Sequence, residues 1–172
     1  MVVVNALCWL IIWFYQALLK NVGVNIVYFG LVHAAMCIAQ ILVISQFTRL
    51  EQWVGSKKRF LFVSAFLPGL FFILLGFCCS VPVVIFAIAF SSGFGLSRGP
   101  LFSSYMNKYI PSDKRATVLS TTSMLRTFSI VLVNLAAGFL TDWSIPYTLA
   151  ILGVAIVAFS FLSRLREEHL ID

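Results

Sequence analysis

The stretch "LSRGPLFSSYMNKYIPSDKRATVLSTTSMLRTFS", residues 96–129, decides how this chain is read. It holds five of the chain's twelve lysines and arginines. Lys108, Lys114 and Arg115 gather around the dipeptide Ile110–Pro111, a polar turn between two long apolar runs. Arg98 and Arg126 stand well inside those runs, with no acid near them in sequence. An Ile-Pro turn between two such runs predicts a pair of antiparallel helices. The rest of the chain sets their solvent. It is 61% hydrophobic and 10% charged, with a mean hydropathy of +1.02. A soluble domain is about half apolar and about a quarter charged, so the expected environment is a lipid bilayer.

Working outward from the hairpin gives six runs long enough to cross a hydrocarbon core, which takes about 20 helical residues. They cover roughly 1–19, 24–47, 60–79, 82–108, 116–140 and 145–163. Short polar or proline-marked breaks separate them: "KNVGVN", "TRLEQWVGSKKR", "CCSVP", "KYIPSDKR" and "TDWSIP". The N-terminal twenty residues lack a basic leader and a small-x-small cleavage site, so they read as a span and not as a signal peptide. The expected fold is all-α, a single polytopic six-helix bundle over residues 1–172. Its spans fall into two three-helix groups of opposite topology, divided at "CCSVP".

The basic residues set the direction. Arg49, Lys57, Lys58 and Arg59 lie between spans two and three, Lys108, Lys114 and Arg115 between spans four and five, and Arg164 and Arg166 after span six. All fall on one side if the spans alternate, and only Lys20 lies on the other. The positive-inside rule makes the basic side cytoplasmic, so both termini are expected in the cytoplasm and the protein in the cell inner (plasma) membrane. The net charge of +6 is therefore a topology signal and not a nucleic-acid footprint. Cys8, Cys37, Cys78 and Cys79 lie in or beside apolar runs without metal-ligand or disulfide-framework spacing. Neither a metal nor a cofactor is expected. No GxSxG, HExxH, CxxC or phosphate-loop motif is present, and no pair of buried carboxylates, which leaves enzyme chemistry without support.

Two segments resemble a known family. "TRLEQWVGSKKRF" resembles the cytoplasmic loop motif of the major facilitator superfamily at Leu50, Gly55, Lys57 and Lys58, with Thr48, Gln52 and Trp53 departing from it. "RGPLFSSYMNKYIPSDKRATVLSTTSMLR" looks like the junction of helices ten and eleven in bacterial drug and metabolite transporters of that family. The resemblance implies the C-terminal six-helix half of a secondary transporter. Such a half moves a small solute, anionic or drug-like, by alternating access against an N-terminal half or a second chain. It also implies that spans one, two, four and five line a cavity.

Polar residues inside those spans are the candidate liners, because a polar group in hydrocarbon is costly unless it faces protein or water. Span one offers Asn5, Trp9, Trp13 and Gln16 on one helical face, and span two offers His33 and Gln40, seven residues apart. Ser103 and Ser104 are candidates in span four, and Ser123, Ser129 and Asn134 in span five. Arg98 and Arg126 come out at matched depth, about 15 Å from the turn at 1.5 Å per residue. Three readings of them stay open: a site for an anionic substrate, partners for acids on another half, or donors to backbone carbonyls at the Gly99–Pro100 break. The alternative function is a six-span membrane subunit that pairs with other helices and does not transport.

Overall fold

The computed structural model describes residues 2–162, apart from the side chains of Lys57, Tyr105 and Tyr109. Arg164, Arg166 and His169 lie outside the described residues. Eight α-helices follow one another: α1 (Val2–Trp9), α2 (Ile11–Asn21), α3 (Phe29–Ser45), α4 (Phe47–Val54), α5 (Lys57–Phe77), α6 (Val81–Tyr109), α7 (Ser112–Thr141) and α8 (Ile145–Leu162). There is no strand among the described residues. Six helical stretches are long and apolar enough to cross a membrane: Val2–Asn21, Ile26–Ser45, Lys58–Phe77, Val81–Lys108, Ser112–Thr141 and Ile145–Leu162. The six runs of the sequence thus reappear as helices, with ends within a few residues of those expected.

Local chemistry explains where the helices start and stop. Pro82 and Pro146 sit in the first turns of α6 and α8, and Pro111 immediately precedes α7. At such positions the missing N–H costs nothing and the fixed φ suits the helix. Pro68 and Pro100 lie inside α5 and α6, which run through them. The charged segment after span two is a short helix, α4, where a loop was expected. Its half-buried residues Phe47, Leu50 and Val54 recur at helical spacing, and Trp53 is 89% exposed. Gly55 ends it with φ at 82°, a left-handed cap, and donates its N–H to the Glu51 carbonyl. Glycine adopts that conformation without a Cβ penalty. Of the other loop-motif residues, Leu50 is half-buried and Lys58 exposed.

The first span differs from the continuous helix expected. At Leu10 the ladder tightens to an i→i−3 bond, with Leu10 N donating to Leu7 O at 3.2 Å, and α1 and α2 meet there. Such a 3₁₀ step is a local overwinding of the helix.

Connections of a few residues between successive long helices force them antiparallel. α5 packs most extensively on α8, α6 on α3 and α5, and α1 on α7 and α6. Glycines set the closest approaches. A Cβ at Gly153 would stand 2.7 Å from the Gly69 carbonyl oxygen, and one at Gly76 would stand 2.7 Å from the Pro146 carbonyl oxygen. The core of buried residues runs through α1, α2, α5, α6 and α8, with Ile11, Leu19, Phe72, Ile88, Leu149 and Ile156 fully enclosed. By contrast α7 is almost uncovered and α3 is largely so.

Candidate functional site

A cavity of ≈ 490 Å³ lies between α1, α6 and α7. α1 contributes Val2 and Asn5, α6 contributes Gly99, Phe102, Ser103 and Met106, and α7 contributes Leu119, Thr122, Ser123 and Arg126. The helical period explains the α6 and α7 sets: 99, 102, 103 and 106, and 119, 122, 123 and 126, each form one stripe at i, i+3, i+4 and i+7. All three stripes lie toward the end of the bundle that carries the α6–α7 turn. The volume falls in the range of about 300–1,000 Å³ common for small-molecule pockets.

Gly99 is the floor where the polar groups converge. A Cβ placed on it would lie 3.8 Å from Arg126 Nη1 and 3.8 Å from Asn5 Nδ2. Two donors from different helices, a guanidinium and a side-chain amide, therefore approach one point on α6. Arg126 is exposed and makes no hydrogen bond or ion pair with any of the described residues. Thr122 Oγ1 donates to the Val118 carbonyl at 2.8 Å and lies 3.8 Å from Met106 Sδ.

Arg98 is placed otherwise. It is fully buried, the largest such side chain among the described residues. Its Nη1 donates to the Leu61 carbonyl at 2.7 Å and to Ser64 Oγ at 2.6 Å, both on α5. Ser64 in turn donates to the same Leu61 carbonyl at 3.0 Å. The guanidinium carbon stands 5.8 Å from the centroid of Phe102, whose ring also lines the cavity. So Arg98 ties α6 to α5 through the Leu61 carbonyl and the Ser64 hydroxyl, while Arg126 lines the cavity.

The remaining candidates lie outside the cavity lining. Trp9 and Trp13 are 40% and 66% exposed, and Gln16, also exposed, donates from Nε2 to the Tyr15 hydroxyl at 3.1 Å. His33 is exposed, with its ring 5.6 Å from that of Tyr15, Gln40 is half-buried on α3, and Asn134 is exposed on α7. The two neighbouring glycines of "SSGFG" serve packing: Gly93 meets Ala39 of α3 and Gly95 meets Cys8 of α1. Sequence reading missed Phe102, one turn after Arg98, and Thr122, one turn before Arg126. Both were within reach of an i, i+4 argument. Ser64, the partner of Arg98, gave no sequence signal.

Exposed polar side chains are not evenly distributed over the bundle. On α5 beyond the charged Lys58 and Arg59, exposed residues are Leu70, Leu74 and Phe77. On α8, apart from Tyr147 near its start, they are also apolar, among them Ile151, Val154, Phe159 and Phe161. On α2, α3 and α7 they include Gln16, His33, Cys37, Ser123, Arg126, Thr127 and Asn134. Among the described residues no group of three or more His, Cys, Asp or Glu side chains could hold a metal ion. No family model, curated protein or solved structure matches this chain.

Proposed function

We propose that this chain is one six-helix half of a secondary transporter of the facilitator type, an integral membrane protein with α4 and the α6–α7 turn on the cytoplasmic side. The carrying observation is that the first span, α3 and α7 expose polar side chains among their apolar ones, and α7 brings Ser123 and Arg126 to the cavity, whereas α5 and α8 expose almost only apolar residues along their length. A helix bathed in lipid on its free face exposes apolar residues, as α5 and α8 do; a free face bearing Arg126, His33 and Asn134 fits a water-filled pathway. In this reading α7, the first span and α3 form one wall of that pathway, and a second six-helix unit forms the opposite wall. Helix pairing supports the inverted arrangement of two three-helix groups. Exchanging spans one to three for four to six turns the α3–α6 pair into the α7–α1 pair and the α5–α8 pair into itself.

The test is water access. In a background without native cysteines, Ser123→Cys and Asn134→Cys react with a membrane-impermeant thiol reagent in open membrane fragments, and Leu70→Cys and Phe159→Cys do not. Equal protection of all four positions means that α7 faces lipid as α8 does, and the transporter reading fails.

A further inference from the structure

The cavity is chemically one-sided. Arg126 brings a guanidinium to it and, among the described residues, makes no ion pair or hydrogen bond. Asn5 supplies a second donor to the same point above Gly99. Arg98 adds a further positive charge beside the Phe102 wall. No Asp or Glu occurs within residues 2–21, 26–45, 58–77, 81–108 or 145–162, and on α7 the sole acid, Asp113, is in the first turn. A cation entering here meets repulsion and no acceptor carboxylate. Phe102, Met106 and Leu119 make the remaining wall apolar.

Resting on the transporter reading above, we infer that the substrate class of this cavity is a small organic anion with an apolar body, its carboxylate held between Arg126 and Asn5. A guanidinium presents parallel N–H groups that match a carboxylate in a fork. The Asn5 amide adds a third donor from another helix, and the apolar body lies on Phe102 and Met106. Gly99 sets the clearance. A methyl there would make ordinary contact with both Arg126 Nη1 and Asn5 Nδ2 at 3.8 Å, so Gly99→Ala folds without strain while narrowing the gap between them. An acidic side chain on a helix of another protein offers the same carboxylate, and the experiment separates the two sources.

The experiment uses the full chain, purified in detergent, with benzoate as probe and benzamide and benzylammonium as its neutral and cationic counterparts. Benzoate alone slows thiol labelling of Ser123→Cys. Arg126→Gln weakens that protection by at least about tenfold, the scale of one charge-assisted hydrogen bond, and Gly99→Ala weakens it as well. Both variants keep the parent's elution profile and thermal midpoint. Protection by benzylammonium or benzamide equal to that by benzoate, or benzoate protection that survives Arg126→Gln, overturns the inference. Ser123→Cys that labels in water but ignores all three probes also overturns it, while leaving the water-filled pathway standing. Ser123→Cys that labels in the purified chain and is shielded in native membranes, with Asn134→Cys still reactive there, assigns Arg126 to an acidic helix of a partner and overturns it too.

Discussion

Arg98 and Arg126 are the same residue type in consecutive helices, and their surroundings give them opposite duties. Arg98 is sealed between α5 and α6 with a backbone carbonyl and the Ser64 hydroxyl as acceptors. Truncating it removes those bonds, leaves a void behind Phe102 and strips the Leu61 carbonyl of a donor. Arg98→Ala therefore lowers the thermal midpoint of the detergent-solubilised chain sharply, by the equivalent of about 3 kcal/mol or more. Ser64→Ala removes one acceptor of a buried charge and costs about 1–3 kcal/mol. Arg126→Gln leaves the midpoint where it was, because Arg126 has no intramolecular bond to lose among the described residues. Thermal unfolding followed by tryptophan fluorescence on the three variants checks this; equal losses at 98 and 126 would contradict the division. At this scale the sequence was half legible. That two arginines in apolar runs must find partners followed from their cost in hydrocarbon. Which partners they find depends on the rotation of α6 against α5, and nothing in residues 96–129 encodes that.

At the scale of elements, the α5–α8 pair is the closest-packed contact, and three glycines make it so. A Cβ on Gly153 would lie 2.7 Å from the Gly69 oxygen and 2.7 Å from Ile73 N, both backbone atoms that cannot swing aside. Gly153→Ala therefore forces the helices apart and costs about 1–3 kcal/mol, the usual range for overpacking. Gly138→Ala on α7 meets nothing within 4 Å and is neutral or slightly stabilising through helix propensity. Thermal midpoints of the two variants side by side test the claim, and a neutral Gly153→Ala would contradict the packing described. The helices themselves were legible because membrane-length apolar runs and short breaks leave few alternatives. The break at Leu10 was not, since no glycine or proline marks it. The helical state of α4 was also hidden, because its charged residues read as a loop when its half-buried spacing of Phe47, Leu50 and Val54 is overlooked.

For the whole molecule, the proposed orientation rests on the charged residues at one end. With α4 and the α6–α7 turn in the cytoplasm, single cysteines at Ser56 and Ser112 are protected from an impermeant thiol reagent in intact cells, and one at Ser144 is labelled. The reverse pattern would invert the assignment. The lengths of the helices carry a further consequence. Among the described residues α8 has 18 and α7 has 30, so these stretches measure about 27 Å and about 45 Å at 1.5 Å per residue. A hydrocarbon core of about 30 Å fits the first and leaves the second with about 15 Å to spare. The start of α7 is the polar end, with Ser112, Asp113, Lys114, Arg115, Thr117, Ser120 and Thr121. If the surplus protrudes there, Arg126 lies about 21 Å from the helix start but only about 6 Å below the hydrocarbon surface. Midway along the helix is then not midway through the bilayer. In the proposed membrane orientation the arginine then rests within reach of the headgroups, its insertion cost falls, and the cavity stands level with the cytoplasmic leaflet. Membrane thickness becomes a control on the site: a thicker, sterol-rich bilayer draws the cavity inward, and a thinner one lifts it clear into water.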